Sequence, residues 1–343
     1  MKKVWSVFAV VLLCGLCQVC GKKEMQPSDT ITLGAYTVPK EAYQKEIIPA
    51  FQAYWLEKTG KRVQFNESYI ASGAQSRAII AGFEADVAAL SLESDVDRLV
   101  EAGLIAHEWK KKQYDGMVSR SVVAIAFRQR NPKQIRDWVD LARPGVSVLY
   151  PSPKTSGGAM WDVNAIYGAG LKMSELETGQ ADPAAAMVLL KAIQKNVKVM
   201  DNSGRASVTT FENGVGDALV TYENEILLRI KQGRTMEYIV PAATILIENP
   251  IAVIDRNVDR HGNREVVEAF VAFVLTKHVQ RIFADYGFRS VDEEVNREYA
   301  DKFPQPQHLF DINYLGGWKL VQENLYGARG VWSRIIEESA HEN

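Results

Sequence analysis

Gly145–Tyr150, GVSVLY, runs after two residues into Pro153–Trp161, PKTSGGAMW. A β-rich run ends in Thr155-Ser156-Gly157-Gly158, and a helical pattern begins at once near Met160. Glycine in such a loop supplies unusual backbone angles or lets another group approach the backbone closely. Serine is a favoured helix N-cap. The first N–H groups of a helix have no partner within it, so Ser-Gly-Gly at a helix start presents several bare donors together. Two readings stay open on these residues alone, a plain helix cap and a seat for something negative. A P-loop is excluded, because the glycine-lysine-hydroxyl order is absent.

Outward from this motif the same grammar repeats. Ile31–Ala35 reads as a first strand, and Glu41–Lys58 carries the apolar spacing of a helix face that Pro49 should kink or split. Arg62–Ser68 reads as a strand leading through Ala71-Ser72-Gly73-Ala74 into a helix over Gln75–Phe83, and Ala85–Leu90 as a short buried strand. Ser121–Phe127 is another strand. Further on come a helix over Pro183–Lys195, a strand at Val197–Met200, the loop Asn202–Ser207, and the strand Ala218–Tyr222 running straight into Glu223-Asn224-Glu225. Strands alternating with helices predict an α/β protein with largely parallel sheets. Thr37, Ser72, Ser156 and Gly204 all stand in small or hydroxyl-bearing loops past a strand and before a helix. Ligands of open α/β sheets bind outside the carboxyl ends of strands, and helix N-termini favour anions. Several termini aimed at one point would form an anion site from neutral donors.

Composition narrows the function classes. The 343 residues suffice for two lobes with their own cores. A formal net charge of −2 gives no electrostatic case for nucleic acid or an anionic membrane surface. Met1-Lys2-Lys3 followed by the apolar Val4–Leu13 reads as an export signal, too short to span a bilayer. All three cysteines, Cys14, Cys17 and Cys20, lie in or just after it, so the body of the chain has no disulfide, thiolate nucleophile or cysteine metal site. Residues 1–20 are assigned to the signal, with Cys20 as the lipidation candidate of a bacterial lipoprotein signal. Cys17-Gln18-Val19 departs from the usual small-residue pattern, and the alternative is a plain secretory signal. His107, His261, His278, His308 and His341 are scattered without metal-ligand spacing. No G-x-S-x-G elbow is present, so a serine hydrolase on Ser72 or Ser156 has no support. Glu223 and Glu225 read as charging the first turn of a helix, Arg205 as a structural pairing residue, and Trp55, Trp161 and Trp318 as packing residues.

Seven segments stand in order: Ala71–Ser76, Glu84–Val87, Asn131-Pro132-Lys133, Pro144–Val148, Pro153–Ala159, Tyr222–Glu225 and Leu315–Trp318. Together, from about residue 31 to 333, they resemble the periplasmic sulfate-binding proteins of ABC import systems, some of which take thiosulfate. The resemblance implies a type II periplasmic binding protein of two lobes, each a mostly parallel sheet flanked by helices, with the ligand cleft between them. It places residues 30–118 and 250–343 in the N-terminal lobe and 119–249 in the C-terminal lobe, with crossovers near Ser119–Phe127 and Ile247–Ile251. It also implies the ligand contacts: backbone N–H groups of Thr37, Ser72, Gly157, Gly158 and Gly204, the hydroxyl of Ser156, and the side chain of Tyr222.

Three of those positions depart from the family pattern, with Thr37 for aspartate, Gly204 for alanine and Tyr222 for tryptophan. The first two keep their N–H. The third exchanges a donor-only indole for a phenol that also accepts, which leaves sulfate, thiosulfate, molybdate and phosphate as alternatives. The resemblance further implies no cofactor, no catalysis, a monomer, a periplasmic or lipid-anchored location, and an inner-membrane permease as partner. A lipoprotein that uses the same fold without transport is the remaining reading.

Overall fold

A computed structural model of the chain describes residues 29–341. The expected export signal and the lipidation candidate Cys20 lie outside the described residues. Ten strands are present there: β1 (Asp29–Ala35), β2 (Val63–Tyr69), β3 (Val87–Ala89), β4 (Met117–Phe127), β5 (Val148–Leu149), β6 (Val197–Val199), β7 (Ala218–Tyr222), β8 (Glu237–Ile239), β9 (Ala243–Val253) and β10 (His308–Phe310). The helices that matter for the site are α1 (Ile48–Thr59), α2 (Ser72–Ile80), α3 (Glu93–Glu101), α4 (Gly157–Thr178), α5 (Pro183–Lys195), α6 (Gly204–Glu212), α7 (Glu223–Lys231) and α8 (Val331–His341). Pro49 splits its helical run as its chemistry demands: a π turn over Tyr43–Ile47 precedes α1, and the proline sits in the first turn of the new helix.

The strands follow the order β2-β1-β3-β9-β4-β7-β5-β6, with β10 on β9 and β8 on β4. Pairing is parallel within β1, β2 and β3 and within β5, β6 and β7. The two long strands β4 and β9 run antiparallel to each other and to their inner neighbours, so the sheet is mixed rather than largely parallel. Each long strand changes partner along its length. β9 pairs with β3 at Ile251–Val253 and with β4 at Leu246–Pro250, while β4 pairs with β7 at Val123–Phe127.

This register positions everything that follows. Ala89, at the carboxyl end of β3, stands opposite Ile251, and Tyr222, at the carboxyl end of β7, stands opposite Val123. The two parallel strand groups therefore point their carboxyl ends at each other across the central paired stretch of β4 and β9. Both long strands are almost wholly buried, as strands covered on both faces must be.

The end of the chain reaches both strand groups. The segment from His308 onward makes several contacts with the second strand group. β10 pairs with β9 at Ala243–Ile245, Trp318 packs edge-on against Trp161 of α4 at 4.8 Å, and Glu338 of α8 pairs with Lys191 of α5 at 2.6 Å. The end of the chain thus packs on helices of the second group, while Gly317–Val321 also touches α3 of the first. Apolar spacing shows that a helix has a face to bury, but not which neighbour receives it.

Candidate functional site

Where the strand ends meet, six chain segments close over a small cavity. Thr37 reaches it from the loop after β1, Ser72 from the start of α2, Ser91 from the loop after β3, Ser156 and Gly158 from the start of α4, Gly204 from the start of α6, and Tyr222 from the end of β7. Six of the seven residues expected at the ligand are thereby brought together. Gly157, the seventh, does not line this cavity, and a Cβ on it would meet Ser91 and Leu92. No lysine or arginine lines the cavity.

The local sequence explains the arrangement. Ser156 caps α4, its Oγ accepting from the Ala159 N–H at 3.4 Å, and Ser203 caps α6 through Ala206 N–H at 3.2 Å. The capping serines satisfy N–H groups deeper in the first turn, so the leading N–H groups of Gly157, Gly158 and Gly204 remain without an intrahelical partner. Ser156 accepts in its cap and keeps its hydroxyl proton for another acceptor. Ser72 is committed differently. Its hydroxyl donates to Asp95 Oδ2 at 2.6 Å and accepts from the Ser91 N–H at 2.9 Å, which leaves the cavity its backbone N–H. Burial pushes the Asp95 carboxyl up, against the pull of Ser72, Arg98 and Arg77.

Two of the wall residues that sequence reasoning missed bear on its chemistry. Ser91, fully buried, is held by four bonds. Its N–H donates to Ser72, its Oγ hydrogen-bonds the Tyr222 hydroxyl at 2.7 Å, and its carbonyl accepts from Trp161 Nε1 at 2.9 Å and Asn249 Nδ2 at 3.1 Å. Asn249 in turn accepts from Ser119 Oγ at 3.2 Å, so a polar chain links the centre of β4 and β9 to the cavity. The signal for Ser91 was present: it is a further hydroxyl directly after a buried strand. Asp162, the other missed residue, lines the cavity from α4, one turn beyond Gly158.

Tyr222, where the family pattern has tryptophan, is 2% exposed. Burial pushes its phenol well above the ordinary value, so it stands neutral as a hydrogen-bonding group. Arg205 does not face the cavity. It pairs with Glu41 and Glu225 and donates to the Val38 carbonyl at 3.2 Å, tying α6 and α7 to the loop after β1. Glu223 pairs with Arg289 at 2.8 Å. Both glutamates after Tyr222 are thus taken up in ion pairs. Trp161 packs on Trp318, and among the described residues no cluster of acidic, histidine or cysteine side chains is arranged to hold a metal.

Residues 31–289 match the family model of bacterial extracellular solute-binding proteins. The chain is 41% identical to the sulfate-binding protein of Synechococcus elongatus over 90% of its own length and 87% of the relative's. It is 38% identical to that of Escherichia coli over 88% and 91%. Identity to the thiosulfate-binding protein of Pseudomonas aeruginosa is 32%, over 98% and 99%. Among solved structures, the sulfate-binding protein SubI of Mycobacterium tuberculosis is similar with a TM-score of 0.79 and 37% identity, covering 87% of this chain and 99% of that one. The chain belongs to the bacterial extracellular solute-binding proteins, in the family of the sulfate- and thiosulfate-binding proteins, and is a binding protein rather than an enzyme.

Proposed function

We propose that this protein captures sulfate outside the cytoplasm for an ABC importer. The backbone N–H groups of Thr37, Ser72, Gly157, Gly158 and Gly204 hold the dianion, together with the hydroxyls of Ser156 and Tyr222. The observation that carries the reading is a cavity built from helix starts and hydroxyls of two opposed strand groups, with no cation on its wall. Such a site suits an anion that brings no proton of its own, because each hydrogen bond needs only an acceptor on the ligand.

The magnitudes allow it. Hydrogen bonds to a charged group contribute roughly 1.5–3 kcal/mol each, and micromolar binding needs about 8.2 kcal/mol. Seven bonds leave a margin for ligand immobilisation and closure. Binding is by hinge closure of two lobes. One holds 30–118 and the chain from 250 to about 307, and the other holds 119–249 with the returning end of the chain. The permease in the inner membrane recognises the closed form. Thiosulfate is the second ligand to expect, since Tyr222 alters the wall where the family pattern has an indole and the Pseudomonas relative bears that name.

Competition calorimetry with sulfate, thiosulfate, molybdate and phosphate at neutral pH tests the reading. Sulfate is expected to bind in the micromolar range or tighter, and a preference for phosphate would refute it. The Ser156→Ala variant loses one charge-assisted hydrogen bond and is expected to bind about tenfold more weakly or worse. An unchanged isotherm removes Ser156 from the site.

A further inference from the structure

Asp162 is the one acid among the residues lining the cavity. It lies four residues after Gly158 on α4, hence on the same helix face. It is 1% exposed, and its Oδ1 has no hydrogen-bond partner. No cation lines the cavity with it, and Arg205 pairs with Glu41 and Glu225 and Arg98 with Asp95. An ionised carboxylate buried without a partner costs so much that the group takes up a proton instead. Burial accordingly pushes the Asp162 carboxyl well above the usual range.

We propose that Asp162 is a specificity-setting residue of the anion site, present in the closed cavity as a neutral acid whose O–H supplies one more donor to the dianion. The inference rests on the oxyanion reading above and adds a consequence to it: binding is linked to protonation of this carboxyl. An ionised Asp162 would set a third negative charge beside the two of the ligand, in a site with no cation to offset it.

Asp162 is the carboxyl on the cavity wall itself, whereas Asp95, which burial also pushes up, is hydrogen-bonded to Ser72 and does not line the cavity. Tyr222 at the end of β7, Tyr150 after β5 and Tyr326 before α8 interact electrostatically with it. Tyr36, from the loop after β1, lines the same cavity. Burial pushes all four phenols up, so they stay neutral wherever a carboxyl titrates. Asp95 on α3 is held by Ser72 and Arg98. The remaining positive feature is the start of α4, whose N–H groups the ligand itself occupies. Below the carboxyl pKa of the free protein, affinity is flat. Above it, each bound dianion must bring a proton with it, and affinity falls by up to about tenfold per pH unit.

The test is sulfate affinity by calorimetry from about pH 5 to about pH 9.5, for the full chain and for Asp162→Asn, which keeps the shape and offers an N–H in place of the O–H. The native chain is expected to lose about tenfold or more across the range, and the variant less than about twofold. A native profile that stays flat, or a variant with the native slope, overturns the assignment. If the variant does not fold, titrations of the native chain in buffers of different ionisation enthalpy decide instead. Net proton uptake on sulfate binding in the alkaline half of the range supports the proposal, and none at any pH overturns it. Absence of sulfate binding at every pH is a different outcome, which overturns the sulfate reading itself.

Discussion

Replacing Gly157 by alanine is expected to weaken sulfate binding by about a hundredfold or more, roughly 2.7 kcal/mol, whereas Gly158→Ala costs far less. A Cβ on Gly157 would stand 2.8 Å from Leu92 Cγ, 2.9 Å from Ser91 Oγ and 3.1 Å from Ser91 Cβ. These neighbours follow β3 in the first strand group, while Gly157 opens α4 in the second. Ser91 cannot step aside, because its N–H, hydroxyl and carbonyl are all engaged, with Ser72, Tyr222, Trp161 and Asn249. The added methyl therefore holds α4 away from the loop after β3, and separates the donors of the two groups together. Gly158 meets softer neighbours, the rotatable Ser156 Oγ at 3.3 Å and Tyr222 Cε1 at 3.5 Å. The check is calorimetry of both variants side by side with melting curves to confirm folding. Native affinity in Gly157→Ala, or a larger loss in Gly158→Ala, would show that close approach at Gly157 does not govern the site.

The contrast between these adjacent glycines also shows what a sequence carries and what it does not. That PKTSGGAMW joins a strand to a helix was legible locally, from serine, glycine and the change of period. So were the strand ends at Thr37, Ser72, Gly204 and Tyr222, because each is a few residues of turn chemistry. Their convergence was not. It depends on Ala89 standing opposite Ile251 and Tyr222 opposite Val123, pairings between residues more than ninety positions apart along the chain. Ser91 escaped notice because a hydroxyl before a helix reads first as a cap, and only the fold brings it to Tyr222. Asp162 could be placed on the Gly158 face by counting four residues. Its lack of a counter-charge, however, belongs to the packed protein. The neighbours of the last segment were hidden for a similar reason, since Trp318 and Glu338 find their partners on α4 and α5 only once the chain is folded.

The largest loss of stability is expected from Arg205→Met. Glu225 is fully buried, and Arg205 reaches it at 2.9 Å while also pairing with Glu41. Burial opposes the charge of Arg205, yet the two glutamates together hold its pKa above the ordinary value. Burial pushes Glu225 up, and Arg205 is the foremost group pulling it back. Methionine keeps much of the arginine stem but leaves Glu225 with only the distant Arg229, 4.0 Å away. Removing one partner of a buried pair costs about 3–5 kcal/mol, and the upper part of that range requires the remaining acid to stay charged. A carboxyl whose folded pKa is raised stabilises least once pH has risen through that pKa, and regains its contribution as it protonates on acidification. The deficit of Arg205→Met should therefore be largest at neutral pH and shrink toward acid pH. Glu225→Gln added to the variant should recover part of it, because the uncompensated charge is gone. Urea titrations of the native chain, both single variants and the double variant at about pH 7.5 and about pH 5 measure this directly. The bridge also joins α6 to the loop that carries Thr37, so the single variant should bind sulfate more weakly even where it is fully folded. A deficit that does not vary with pH and is not relieved by Glu225→Gln would mean that Arg205 acts through its packing, and not through the charge of Glu225.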